Sequence, residues 1–133
     1  MFMMRNLGPL SRILGINVQR DRSNKEIIID QKDYVENILK KFNMEESNQI
    51  KTPLDVNQKL TKDMGQKDES EANAMKSIPY KEALGSLMYA YLATRPDLGC
   101  AITTLGSFAE NPEKSHWNAV KRVLRYLKKT KSY

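Results

Sequence analysis

The sequence predicts an α+β fold, mainly helical. Near the start, one stretch alternates apolar and polar residues as a strand does. In the second half, three stretches repeat apolar residues at helical spacing. Between them runs a long polar stretch with no period at all. A period of two marks a half-buried strand, and a period of 3.6 marks a helix with one buried face.

The elements follow in order. Residues 13–30 read as a β-hairpin. Leu14, Ile16 and Val18 alternate with Gly15, Asn17 and Gln19, Asp21–Lys25 forms the turn, and Ile27, Ile28 and Ile29 return. An isolated hairpin is marginal in water, so this one is expected to lean on another element. Gly15 inside a strand implies a bulge or a close approach by another backbone. A helix comes next, with Asp30 as N-cap, Asp33 in its first turn, Tyr34, Val35, Ile38, Leu39 and Phe42 on one face, and Asn43 as its stop. Thr52–Pro53 breaks regular structure. From Asp55 to Ser77 the composition predicts a long mobile connection. Tyr80–Leu92 then carries Tyr80, Ala83, Leu84, Leu87, Met88 and Tyr91 at helical spacing, with Gly85 and Ser86 thinning one side for close packing. Pro96 opens a helix whose buried stripe is Leu98, Ala101, Ile102, Leu105 and Phe108. Asn111–Pro112 signals the start of the last helix. The expected division is 1–54, hairpin and helix; 55–78, polar linker; and 79–133, a three-helix segment ending in a basic helix.

That last helix holds the functional signal. In His116–Lys129, Trp117, Val120, Val123, Leu124 and Leu127 share one arc of about 120°. Lys121, Arg122, Arg125, Lys128 and Lys129 share the arc beside it. Residues 113–133 hold seven Lys or Arg and one acid, which equals the whole chain's net charge of +6. An apolar stripe docks such a helix, and the basic stripe then faces a polyanion or plain solvent.

Composition excludes several classes. No run approaches the roughly 18 apolar residues of a membrane span, and the start lacks a signal-peptide pattern. One cysteine, Cys100, gives no disulfide framework and fits a reducing, cytoplasmic setting. One His and one Cys argue against a structural zinc site, and no metal ligands are assigned. Trp117 is expected as a core anchor, Cys100 as a small buried residue, and His116 has no catalytic partner nearby in sequence. Tyr126 offers a ring for base stacking.

The order of segments resembles the C-terminal part of the reverse transcriptase of copia-type LTR retrotransposons. The stretches that carry the resemblance are NLGPLSRILGINV, IIIDQKDYVENILKKFNM, Thr52–Pro53, PYKEALGSLMYAYLATRPDLGCAI and HWNAVKRVLRYLKKT. They follow one another over essentially the whole chain. The resemblance implies that Leu14, Gly15 and Ile16 form a primer-grip-like hairpin. It implies that 31–42 begins the thumb, and that the last three helices lead toward a ribonuclease H domain. The implied partners are an RNA–DNA or DNA duplex on the basic helix, and the palm and ribonuclease H domains of a parent Pol polyprotein. No membrane is implied.

The departures limit what the chain can do alone. The family's Tyr-x-Asp-Asp motif is expected upstream of Met1, and no Asp-Asp pair occurs in the sequence. Nucleotidyl transfer in that family uses carboxylates on two Mg²⁺ ions, so Mg²⁺ is expected in the intact parent polymerase and no cofactor in this chain. Asp97 in a helix's first turn reads as a dipole partner. No catalytic residue is assigned. The expectation is a fragment of an RNA-directed DNA polymerase, inactive alone, that contributes template–primer binding. The competing expectation is a helical protein-interaction or remnant module with no nucleic-acid role.

Overall fold

The computed structural model describes residues 3–55, 57–58, 60 and 69–131. The chain runs β1 (Arg12–Ile13), β2 (Ile16–Asp21), β3 (Glu26–Asp30), α1 (Lys32–Lys41), α2 (Glu69–Lys76), α3 (Tyr80–Ala93), a 3-10 turn (Pro96–Leu98), α4 (Gly99–Gly106) and α5 (Lys114–Thr130). The strands form an antiparallel sheet in the order β1-β2-β3. The fold is mainly helical α+β, as the periodicities require.

The core is built on α5. Val120, Val123, Leu124 and Leu127 are fully buried and share one cluster with Val35 and Leu39 of α1, Leu84 and Leu87 of α3, and Ile102 and Leu105 of α4. Full burial of each such side chain stabilises by about 1.5–3 kcal/mol, so α5 is the element the others need most. Its start differs from the Asn111–Pro112 expectation. Glu113 is the N-cap, and its backbone N–H donates to His116 Nδ1 at 2.9 Å in a reciprocal capping box. His116 is buried and stacks on Phe108, with ring centroids 4.1 Å apart. Its role is therefore architectural. Trp117 is half-buried against the core.

Four local expectations change. Gly15 is in a turn, not inside a strand. Ile13 pairs with Ile16, and Leu14 (φ 51°) and Gly15 (φ 80°) form the two-residue loop between β1 and β2. Two positive φ angles are what such a loop needs to match strand twist. A helix, α2, occupies 69–76 within the stretch read as a mobile connection, and Met75 is buried there. The rest of that expectation falls largely on 56, 59 and 61–68, outside the described residues. Gly85 meets nothing within 4 Å; the close approach is at Gly99, where an added Cβ would lie 3.0 Å from the Tyr91 ring. Cys100 is exposed rather than buried, because it lies on the side of α4 opposite Ala101, Ile102 and Leu105.

The sheet leans on the helices mainly at the end that holds the β1–β2 loop. Asn17 Nδ2 donates to Asp30 at 3.0 Å and to Asp33 at 3.2 Å, and the Tyr89 hydroxyl donates to the Leu14 carbonyl. Asp30 also accepts from the Lys32 N–H at 3.1 Å, so it caps α1 from one residue before the N-cap, Gln31. Asn43 has φ 56°, the left-handed stop expected after α1. No helix among the described residues is long and apolar enough to cross a membrane.

Candidate nucleic-acid interface

The basic face of α5 is not bare. Residues 45–52 cross it as a strap. Arg122 donates from Nη2 to Thr52 Oγ1 at 2.8 Å, and Arg125 from Nε to the Asn48 carbonyl at 2.6 Å. Lys128 Nζ donates to the Ser47 carbonyl at 2.7 Å and also to the Glu45 carbonyl. The strap is held at both ends by apolar contacts, Met44 buried before it and Leu54 packed on the core after it. Sequence periodicity cannot show such a segment, because all but the Thr52 contact run through backbone carbonyls that every residue carries.

These partners are neutral oxygens. Among the described residues, the ion pairs are Arg12–Asp33, Lys41–Glu82, Arg95–Asp97 and Lys131–Glu36. None involves Lys121, Arg122, Arg125, Lys128 or Lys129. The strap therefore orients three cations without cancelling their charge. Lys121 and Lys129 have no partner among the described residues, and Arg125 keeps both terminal nitrogens unengaged. Lys121, Arg125 and Lys129 recur every four residues, so they stack along one side of α5 about 6 Å apart.

The second surface is the tip of the hairpin. Leu14 is 78% exposed and holds a left-handed backbone. That conformation costs a non-glycine residue about 1–2 kcal/mol, and exposed leucine gains nothing from burial. Gly15 faces the Tyr34 ring, with an added Cβ meeting it at 3.8 Å. Tyr34 meets Tyr89 edge-on at 5.0 Å and donates to the Ser86 carbonyl at 2.9 Å. Burial raises the Tyr34 hydroxyl pKa above its ordinary value. Ile16 is half-buried at the start of β2. The tip is thus fixed from below by two tyrosines while Leu14 projects. No hydrogen bond or ion pair among the described residues joins it to the basic face.

Asp97 does more than face a helix dipole. Arg95 binds it through Nε at 3.1 Å and Nη2 at 2.8 Å, and the Tyr126 hydroxyl donates to it at 2.5 Å. Arg95 also reaches Thr130 Oγ1 at 2.6 Å and the Thr130 carbonyl at 3.2 Å, placing a cation at the end of α5. The Arg95 hydrogen bond, against burial, holds the Asp97 carboxyl below the usual carboxylate range. Burial works against the charge on Arg95, but Asp97 more than offsets it. Tyr126 carries Arg95 over its ring at 5.6 Å, and burial raises its pKa. One ring face is therefore already taken by the guanidinium.

Over 97% of its length the chain is 43% identical to a tenth of the "Retrovirus-related Pol polyprotein from transposon TNT 1-94" of Nicotiana tabacum. Over 95% of its length it is 34% identical to 8% of the Pol polyprotein from transposon RE2 of Arabidopsis thaliana. The chain is similar to short segments of retrotransposon Pol polyproteins. A shorter match, 51% identical over 59 residues, covers 44% of the chain and 42% of "Secreted RxLR effector protein 161" of Plasmopara viticola. In each case the chain spans less than half of the relative's length. No family model and no solved structure matches it.

Proposed function

We propose that this chain is the primer-grip, thumb and post-thumb portion of a copia-type reverse transcriptase. Its task is to hold a template–primer duplex inside the cell, and the chemistry belongs to the parent's other domains. The observation that carries the reading is the cationic side of α5, in no ion pair among the described residues and held at a fixed angle by a buried apolar face and a strap of neutral oxygens. Cations so arranged contact phosphates and position a duplex without reading its sequence. The projecting Leu14 supports a second contact at the hairpin tip, since strained backbone persists where function requires it. The absence of an Asp-Asp pair in the sequence supports a binding role rather than nucleotidyl transfer by this chain alone.

The test is a titration of the full chain against an RNA–DNA hybrid. Replacing Lys121, Arg122 and Arg125 together by Ala weakens binding by tenfold or more, with circular dichroism confirming the fold. Equal affinity in the triple variant overturns the proposal.

A second reading has its own observation. Ile27, Ile28 and Ile29 on the edge strand β3 are each about half exposed or more. Such an edge pairs readily with another chain. In a longer polyprotein that neighbour would be the palm; in the alternative reading it is an unrelated protein or a second copy. Sedimentation separates these: self-association indifferent to added duplex favours the interaction module.

A further inference from the structure

Lys51 lies between the α1 stop at Asn43 and the Thr52–Pro53 break, where the sequence pattern predicts no element. The structure brings it to α5. A concavity of about 380 Å³ is lined by Lys51, Tyr126, Lys129 and Thr130. Neither lysine has a hydrogen bond or ion-pair partner among the described residues. Two ammonium groups bordering one hollow repel each other, and an anion placed between them relieves that repulsion.

The hollow is fixed from both sides. On the strap, Asn48 and Thr52 flank Lys51, and each is held by an arginine of α5. On the helix, Thr130 is buried and held by Arg95, and the Tyr126 hydroxyl donates to Asp97. Asp97, which accepts from the Tyr126 hydroxyl, is already matched by Arg95. Lys51 and Lys129 are both exposed, so their ammonium groups can reach a strand passing over the surface.

We propose that Lys51 and Lys129 form a phosphodiester-binding subsite that exists only while the strap is docked. The proposal rests on the duplex-binding reading and sharpens it. Arg122 and Lys128 are then strap anchors, acting through position. Lys51, Lys129 and the free end of Arg125 contact the phosphates. The strap adds a cation to the ridge instead of covering it.

The experiment is a salt series of affinity for an RNA–DNA hybrid, using the full chain. Each phosphate contact contributes about 0.9 to the slope of log affinity against log salt on B-form DNA, and a similar size is expected here. Lys51→Ala should lower the slope magnitude by about one, and Lys51→Ala with Lys129→Ala by about two. Lys76→Ala, at an exposed lysine outside the hollow, should leave it unchanged. Lys51→Arg should retain the slope. If the native chain binds with a steep slope and Lys51→Ala does not change it, the subsite is wrong and duplex binding stands. If the native chain shows no salt-dependent binding, duplex binding fails and the subsite with it.

Discussion

Leu14 breaks three local preferences together: it is large, apolar and exposed, and its backbone is left-handed. Asn is the residue a loop of this kind favours at that position. Leu14→Asn should therefore stabilise the fold by about 0.5–1 kcal/mol while weakening duplex binding. Thermal melting and the hybrid titration read the two effects separately, and loss of both would mean the tip is only structural. Asp97 makes the opposite case. Its pKa is depressed in the folded chain, so its contribution is complete above the ordinary carboxylate range near pH 4 and fades as pH falls through the folded value. Asp97→Asn should cost about 2 kcal/mol at neutral pH, since it leaves the buried Arg95 with a weaker partner. The difference in melting temperature between variant and native chain should shrink as pH drops below about 4. A constant difference down to acid pH would show that the charge is not what matters.

At the scale of elements, α5 was readable from its sequence. Its apolar arc is the core, and its basic arc is the outer side. The reason is simple: helical period reports burial directly. The strap, α2 and the β1–β2 loop were not readable. The strap docks through three carbonyls and one hydroxyl, α2 buries Met75 in a polar run, and Leu14 has no residue-type signal for positive φ. The motif residues Gln31, Tyr34, Thr94, Arg95 and Asp97 turned out to be fastenings. Thr94 Oγ1 donates to the buried Gln31 Oε1 at 2.5 Å, Tyr34 ties α1 to α3, and Arg95 ties the 3-10 turn to α5. Site residues were legible only as a list of five cations; which of them hold the strap and which remain free depends on where 45–52 lies. The strap itself makes a testable prediction. Arg122→Ala with Lys128→Ala removes charge-assisted bonds each contributing about 1 kcal/mol at this exposure. Local opening then rises tenfold or more, and limited trypsin digestion should cut after Lys51 correspondingly faster while the melting temperature of the core changes little. Unchanged cleavage would mean that Arg125, Met44 and Leu54 hold the strap without those two bonds.

For the whole molecule, one helix performs two tasks. Its apolar side gathers α1, α3 and α4 into a single core, and its basic side holds five of the seven Lys and Arg of residues 113–133. The sheet is fastened to the helices at its β1–β2 loop end and exposed along β3. The account depends on the cationic side being available to phosphate. The most direct measurement is the affinity of the unmodified chain for an RNA–DNA hybrid between about 50 and 200 mM salt. Contacts from Lys51, Lys121, Arg125 and Lys129 predict a log–log slope of about −3 to −4. A slope near zero, or no binding at the lower salt, would contradict it.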